Sequence, residues 1–196
     1  METIKLNNER GIKMNATKKY LTVAETAKIV RTALKQAFPA TKFSVRSKSY
    51  SGGASIDISW TDGPTSAQVK KIADKLEGAT FDGMTDYKGG KTHLYNGEAV
   101  HFGADFIFEC REYSDYLIQT AINSLLAEFG DSFIPTIEQY RQGELWRNYV
   151  VTNAQNSPFW SWGEQISKRL NEISEYINDP AIPEALMPLG GVIREY

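Results

Sequence analysis

The chain has 196 residues and a formal net charge of −2, a length that allows one domain with an elaborate tail or two small ones. Apolar residues make up 41% and aromatics 12%, enough for a core, which excludes wholesale disorder. No apolar run is long enough for a membrane helix, no apolar signal core argues for secretion, and the single Cys110 excludes an internal disulfide or a multi-cysteine zinc site and fits a reducing cytoplasm.

The average charge hides a gradient. Residues 1–50 hold eleven Lys/Arg against three Asp/Glu, residues 51–97 five against six, and residues 98–196 six against fifteen. A basic end of this kind can meet phosphates or acidic surfaces. The alternative is that the two halves neutralise each other inside one fold.

Taken in order, residues 1–19 are polar, lysine-rich and without periodicity, and read as a flexible N-terminal arm. Thr22 and Glu25 have capping-box spacing. Ala27, Val30, Ala33, Leu34, Ala37 and Phe38 then recur at helical spacing until Pro39. The wet face of that helix carries Lys28, Arg31 and Lys35. Phe43 and Val45 alternate with Ser44 and Arg46 as a strand, Tyr50-Ser51-Gly52-Gly53 is a bend, and Ile56, Ile58 and Trp60 alternate as a second strand. Paired as a hairpin, Phe43, Val45, Ile56, Ile58 and Trp60 share a core face, and Lys42, Arg46, Lys48 and Asp57 share the other. Gly63-Pro64-Thr65 leads into a helix burying Val69, Ile72, Ala73 and Leu76, with Thr65 and Gln68 at capping-box spacing and Gly78 as its stop.

Phe81 to Gly90 reads as a short strand and a loop. Asn96-Gly97 is a hairpin-turn signal, and Asp105 to Arg111 a further strand with Phe106, Phe108 and Cys110 on one side. Ser114 caps a helix from Asp115 to Phe129 that Gly130 ends. This order predicts an α+β fold for residues 20–130, with a mostly antiparallel sheet and helices packed on it. Residues 131–196 read as an α-helical C-terminal extension. Its helices are expected at Ile134–Val151 and Pro158–Ile177, the second capped at Ser157-Pro158, followed by an extended tail from Asp179.

The distinctive runs are Tyr20-Leu21-Thr22-Val23-Ala24-Glu25-Thr26-Ala27, Ser44-Val45-Arg46, Tyr50-Ser51-Gly52-Gly53, Trp60-Thr61-Asp62-Gly63-Pro64, Phe102-Gly103-Ala104-Asp105 and Arg111-Glu112-Tyr113-Ser114. In these the block from residue 20 to residue 114 resembles the twenty-ninth class of large polyvalent protein-associated domains. The resemblance implies proteins of phages and conjugative elements that help incoming DNA establish in a bacterial host, some with anti-restriction or anti-CRISPR relatives. It implies no catalytic residues, and it is silent about the helical C-terminal third.

Each candidate site stands beside a structural alternative. Lys28, Arg31, Lys35, Lys42, Arg46 and Lys48, with Tyr20 and Tyr50 to stack bases, are suited to track phosphates. The alternative is a solvated helix face plus a cross-strand Arg46–Asp57 pair. Asp57, Asp62, Asp82, Asp86 and Asp105 form no recognised metal motif and fit turn chemistry. His93 and His101 flank the Asn-Gly turn and fit polar hairpin positions better than a general base. Cys110 has no adjacent base and is expected as a small buried hydrophobe. Trp146, Tyr149, Phe159, Trp160 and Trp162 form the richest aromatic cluster. They serve either as interface anchors, foremost Trp146, Trp160 and Trp162, or as the core docking the C-terminal helices.

The expectation is a non-enzymatic counter-defence protein that binds and blocks a bacterial defence complex, with no catalytic set, metal or cofactor. The alternative is a nucleic-acid-binding accessory protein of conjugation or phage DNA establishment.

Overall fold

The computed structural model describes residues 3–7, 13–84, 86–130, 133–148, 160–176 and 193–194. The fold is α+β, as the pattern predicts, and its contacts divide the chain into two compact units. Unit 1 comprises residues 1–60, 66–110 and 178–196; unit 2 comprises 61–65 and 111–177.

Unit 1 begins where a polar arm is expected. Thr3–Asn7 (β1) and Lys13–Thr17 (β2) instead pair antiparallel. Ladder bonds are made by the backbone, so a lysine-rich composition does not forbid them. Lys19–Tyr20 (β3) leads to the helix Val23–Ala37 (α1). The Thr22 hydroxyl accepts from the Glu25 N–H, and the Glu25 carboxylate accepts from the Thr22 N–H, closing the expected capping box. Ala27, Val30, Ala33 and Leu34 are buried, and the helix stops at Phe38, before Pro39.

Ser44–Tyr50 (β4) and Gly53–Thr61 (β5) form the expected hairpin, with Arg46 opposite Asp57. The turn needs Gly52, whose φ is 87°. Val45, Ile56, Ile58 and Trp60 are buried. Phe43 sits just ahead of the strand, its ring 6.0 Å from that of Phe38 and 5.5 Å from that of Trp60. Ser66–Ala73 (α2) follows and runs into a short 3₁₀ turn ending at Leu76.

Gly78 is more than a helix stop. Its N–H donates to the Ala104 carbonyl and its carbonyl accepts from the Lys91 N–H, both at 2.7 Å. A Cβ there would lie 1.9 Å from the Phe102 carbonyl oxygen. The short strand expected at Phe81 belongs to Ala79–Asp82 (β6) and turn residues follow it, but the end of the expected loop is sheet: β6 pairs antiparallel with the start of Tyr87–Tyr95 (β7). The Gly89-Gly90 pair, a loop signal in sequence, lies inside that ladder, opposite Thr80 and Ala79. Asn96 and Gly97, with φ of 51° and 79°, turn β7 into Glu98–His101 (β8). β8 pairs parallel with β3. Ile193–Arg194 (β10) pairs with β7, within the segment expected as an extended tail. The remaining strand, Phe106–Glu112 (β9), joins the other side of β5, giving the order β4-β5-β9. Asp105, just before β9, donates to the carbonyl of Ala54 at the start of β5, so the two strands run the same way.

Unit 2 is helical. Asp115–Phe129 (α3) has the expected Ser114 cap and a left-handed Gly130. The boundary expected at residue 130 therefore falls inside this unit. The helix expected over Ile134–Val151 is broken into Ile137–Arg141 (α4) and a 3₁₀ turn, Glu144–Arg147, because Gly143 takes φ 75° between them. Trp162–Glu172 (α5) is capped by Ser161 and Glu164, a capping box four residues beyond the cap expected at Ser157. Ser157-Pro158, Tyr149 and Phe159 lie outside the described residues. Leu117, Ile118, Ala121, Ile122, Leu125, Leu145, Trp162, Ile166 and Leu170 form one buried cluster.

Arg111 organises this unit. Its guanidinium donates to the carbonyls of Asp62, Gly63, Leu170 and Ile173 at 2.9–3.2 Å. Leu170 and Ile173 belong to the end of α5, whose last carbonyls have no helical donor. Asp62, at φ 55°, accepts the Ser114 N–H on its carboxylate and donates its own N–H to Glu112. The runs Trp60–Pro64 and Arg111–Ser114 thus meet in one knot.

Two stability predictions follow from these contacts. Gly78→Ala should cost about 3 kcal/mol or more, because backbone stands where the methyl must go, whereas Gly83→Ala, with its nearest atom 3.8 Å from the added Cβ, should stay within about 0.5 kcal/mol. Arg111→Met should cost about 3 kcal/mol or more by stranding buried carbonyls, and Arg111→Lys should recover only part of it, since an ammonium lacks the planar fork. Urea denaturation midpoints of the four variants test both statements.

Candidate nucleic-acid interface

Strand alternation decides what β4 presents. Val45 points to the core, while Arg46, Lys48 and Tyr50 share the opposite face with Ser55, Asp57 and Ser59 of β5. Lys48 Nζ lies 2.5 Å from an Asp57 carboxylate oxygen. The expected Arg46–Asp57 partnership is therefore one of register only; the ion pair goes diagonally to Lys48.

Helix α1 flanks this strand. Arg31 donates to the Val45 carbonyl at 2.7 Å, which blunts the edge of β4 and places the Lys28–Arg31–Lys35 stripe beside it. Arg31 is thereby drawn into structure. Lys28 feels the charge of Glu25. Lys35, Lys42 and Arg46 are exposed and make no ion pair among the described residues. Other lysines of the unit are engaged: Lys70 with Asp74, Lys88 with Asp105 and Lys91 with Glu77.

The glycines of the bend have a local purpose. A Cβ on Gly53 would fall 2.3 Å from an Asp105 carboxylate oxygen and 3.0 Å from the Tyr50 ring. Only glycine lets that carboxylate reach the Ala54 N–H, at 3.0 Å, while it also meets Lys88 at 2.7 Å. Tyr50 is left 53% exposed over this turn. Tyr20 is exposed as well, 5.4 Å from the His101 ring and with Lys18 over its own.

On β9, Ile107 faces the core and Phe108 faces out, 55% exposed, with the Phe106 ring 6.5 Å away. Cys110 is exposed, not the buried hydrophobe expected; the alternation that puts Ile107 inside puts it outside. These outward aromatics are what sequence reasoning missed as functional candidates, although their shared side was legible.

The carboxylates do not converge. Asp57 pairs with Lys48, Asp62 holds the Ser114 N–H, and Asp105 serves the β5 turn. Asp86 sits in a turn at φ 51°, and the Asp82 side chain lies outside the described set. No group of three His, Cys, Asp or Glu among the described residues is placed to hold a metal ion. His93 Nε2 and His101 Nδ1 lie 2.7 and 3.0 Å from the carbonyls of Glu77 and Lys91. Each of those nitrogens therefore carries a proton, since a carbonyl only accepts. Burial holds His93 below its usual pKa.

The tryptophans separate. Trp162 is fully buried in the unit 2 core, so it is not a surface anchor; its indole N–H finds no acceptor among the described residues. Trp146 and Trp160 are 50% and 41% exposed, the latter beneath Lys168.

No helix among the described residues is long and apolar enough to cross a membrane. Residues 21–114 match the family model of the large polyvalent protein associated domain 29. The chain matches no curated protein and no solved structure.

Glu109 supplies a pH prediction. One of its carboxylate oxygens is buried without a donor among the described residues. Burial raises its pKa above the usual 4.5, against the pull of Lys70. The folded state then holds a proton where the unfolded chain has lost it, so stability falls as pH rises through the folded value and returns as pH drops towards the unfolded one. Glu109→Gln should raise the melting temperature at neutral pH, and the gain should shrink in melts run under progressively more acidic conditions.

Proposed function

We propose that this chain, which carries a member of the large polyvalent protein associated domain 29 family, is a non-enzymatic accessory protein of a phage or other mobile element that binds nucleic acid in the bacterial cytoplasm. The family is one of domains found in polyvalent proteins of such elements. The observation that carries the reading is the set of exposed cations Lys35 on α1, Lys42 ahead of β4 and Arg46 on it, without ion pairs among the described residues, with Lys48 and Tyr50 on the same face of β4 as Arg46. Exposed cations on and beside a sheet edge suit phosphates spaced along a backbone.

A second reading rests on Trp146 and Trp160, large aromatics exposed in the acidic unit 2. Exposed tryptophans are frequent anchors of protein interfaces, and such a surface suits docking on a host defence complex of the restriction or CRISPR type. Cutting the chain at Gly130 would not test it, because α3 and α5 share one core. Point changes are needed. If Trp146→Ala/Trp160→Ala abolishes protection of an incoming plasmid in a host with active defence, and nucleic-acid binding is unchanged, the second reading prevails.

For the first reading, the triple variant Lys42→Glu/Arg46→Glu/Lys48→Glu should bind a short DNA oligonucleotide at least tenfold more weakly at low salt. It should also lower the slope of log affinity against log salt by about 2–3, near 0.7–0.9 per lost contact. Lys70→Gln, which removes a cation of α2 together with its Asp74 pair, should leave both unchanged. Fluorescence anisotropy across a salt series gives all three numbers, and identical slopes for the triple variant and the parent would reject the proposal.

A further inference from the structure

The outward face of the β4-β5-β9 sheet is asymmetric across its width. On β4 stand Arg46, Lys48 and Tyr50; on β9 stand Phe106 and Phe108. Between them β5 contributes Gly53, Ser55, Asp57 and Ser59, with Thr61 at its end. Neighbouring strands lie about 4.8 Å apart, so the cationic and aromatic rims are separated by on the order of 10 Å. Small side chains in the middle make a shallow trough, and Ser55 is itself buried between its neighbours.

Phe108 is anomalous as a structural residue. A phenylalanine more than half exposed, beside a second partly exposed phenylalanine, makes no contribution to the core on the far side of the strand, where Ile107 already sits. Flat rings standing on an open sheet are suited to stack unpaired bases. A duplex offers its phosphates to a basic strip but keeps its base faces covered. Only a single strand can place phosphates on one rim and bases on the other.

We propose that this sheet face is a single-strand-selective nucleic-acid site, in which Arg46 and Lys48 hold the phosphate backbone and Phe108, with Phe106 and Tyr50, stacks the bases. The proposal rests on the nucleic-acid reading given above and adds to it the form of the ligand and the residues that select it. Lys48 would exchange its Asp57 partner for a phosphate. The sequence preference of the site is weak, since stacking accepts any base and the trough floor offers few fixed donors.

The test measures binding of the full chain to a fluorescein-labelled fifteen-nucleotide oligo-deoxythymidine and to the same strand annealed to its complement. Parent, Phe108→Ala, Phe108→Trp and Arg46→Glu are compared, with unchanged circular dichroism melts as the check on folding. The parent should prefer the single strand by about tenfold or more. Phe108→Ala should lose about tenfold on the single strand, with no loss on the duplex and an unchanged salt slope, because one stacking contact is removed and no ionic one. Phe108→Trp should bind as well as the parent or better. Equal affinity of the parent for both forms, or indifference of the single strand to Phe108→Ala, overturns the selective site while Arg46→Glu still reports on the basic strip. Absence of binding to either form at low salt overturns both.

Discussion

Unit 2 depends on a buried cation whose partners are carbonyl oxygens. The Arg111 guanidinium is nearly enclosed and satisfies two carbonyls of the Asp62-Gly63 turn and two at the end of α5. Burial lowers its pKa, yet a guanidinium does not deprotonate in proteins, so the charge persists and must be solvated by the fold. Carbonyl dipoles do this without a buried carboxylate and its own desolvation cost. The same contacts answer the orphan acceptors of a helix C-terminus, where positive charge is favoured by the macrodipole. One residue from the matched family segment thus secures a helix that the family model does not cover.

The family signature reads differently once these contacts are known. Gly53 is there because an Asp105 carboxylate occupies the space of its missing side chain. Asp62 is there to receive the Ser114 amide, and Gly103 to let the Leu21 carbonyl approach. Thr26 is fully buried and accepts the Gly103 N–H on its hydroxyl. Five of the six distinctive runs therefore join another run distant in sequence. These runs encode the junctions of a frame.

Local chemistry made much of the frame legible in advance. The Thr22–Glu25 box, the Ser51-Gly52 turn, Asn96-Gly97 and the Ser114–Gly130 helix are all settled by residues within a few positions of each other, and each appears where its signal lies. What escaped depends on distant partners. Residues 3–17 have no periodic pattern of their own, and their strands are defined by pairing. Gly89 and Gly90 look like loop residues until Thr80 and Ala79 are opposite them. Gly143 breaks a helix whose flanking residues all favour it. Among the site residues, Arg31 and Trp162 were plausible surface groups by type, and only tertiary contacts assign one to the edge of β4 and the other to a core.

The charge gradient can be weighed in the same terms. Neutralisation within the fold requires acidic partners for the cations of the first fifty residues. Unit 1 uses its acids elsewhere: Asp74, Glu77 and Asp105 take Lys70, Lys91 and Lys88, all from beyond residue 50. Of the early cations, Lys48 gains Asp57 and Arg31 gains only a carbonyl. Lys35, Lys42 and Arg46 remain in water beside an open sheet face. Solvated cations cost little, so their presence needs no special cause. The placing of Arg46 on one sheet face with Lys48 and Tyr50, and with Phe108 on β9, is the less ordinary fact. Core packing accounts for Val45, Ile58 and Ile107 on the inner side of the same strands, but it sets no requirement on the outer side. A strand needs some outward residue at every second position; nothing in the frame asks for two phenylalanines there.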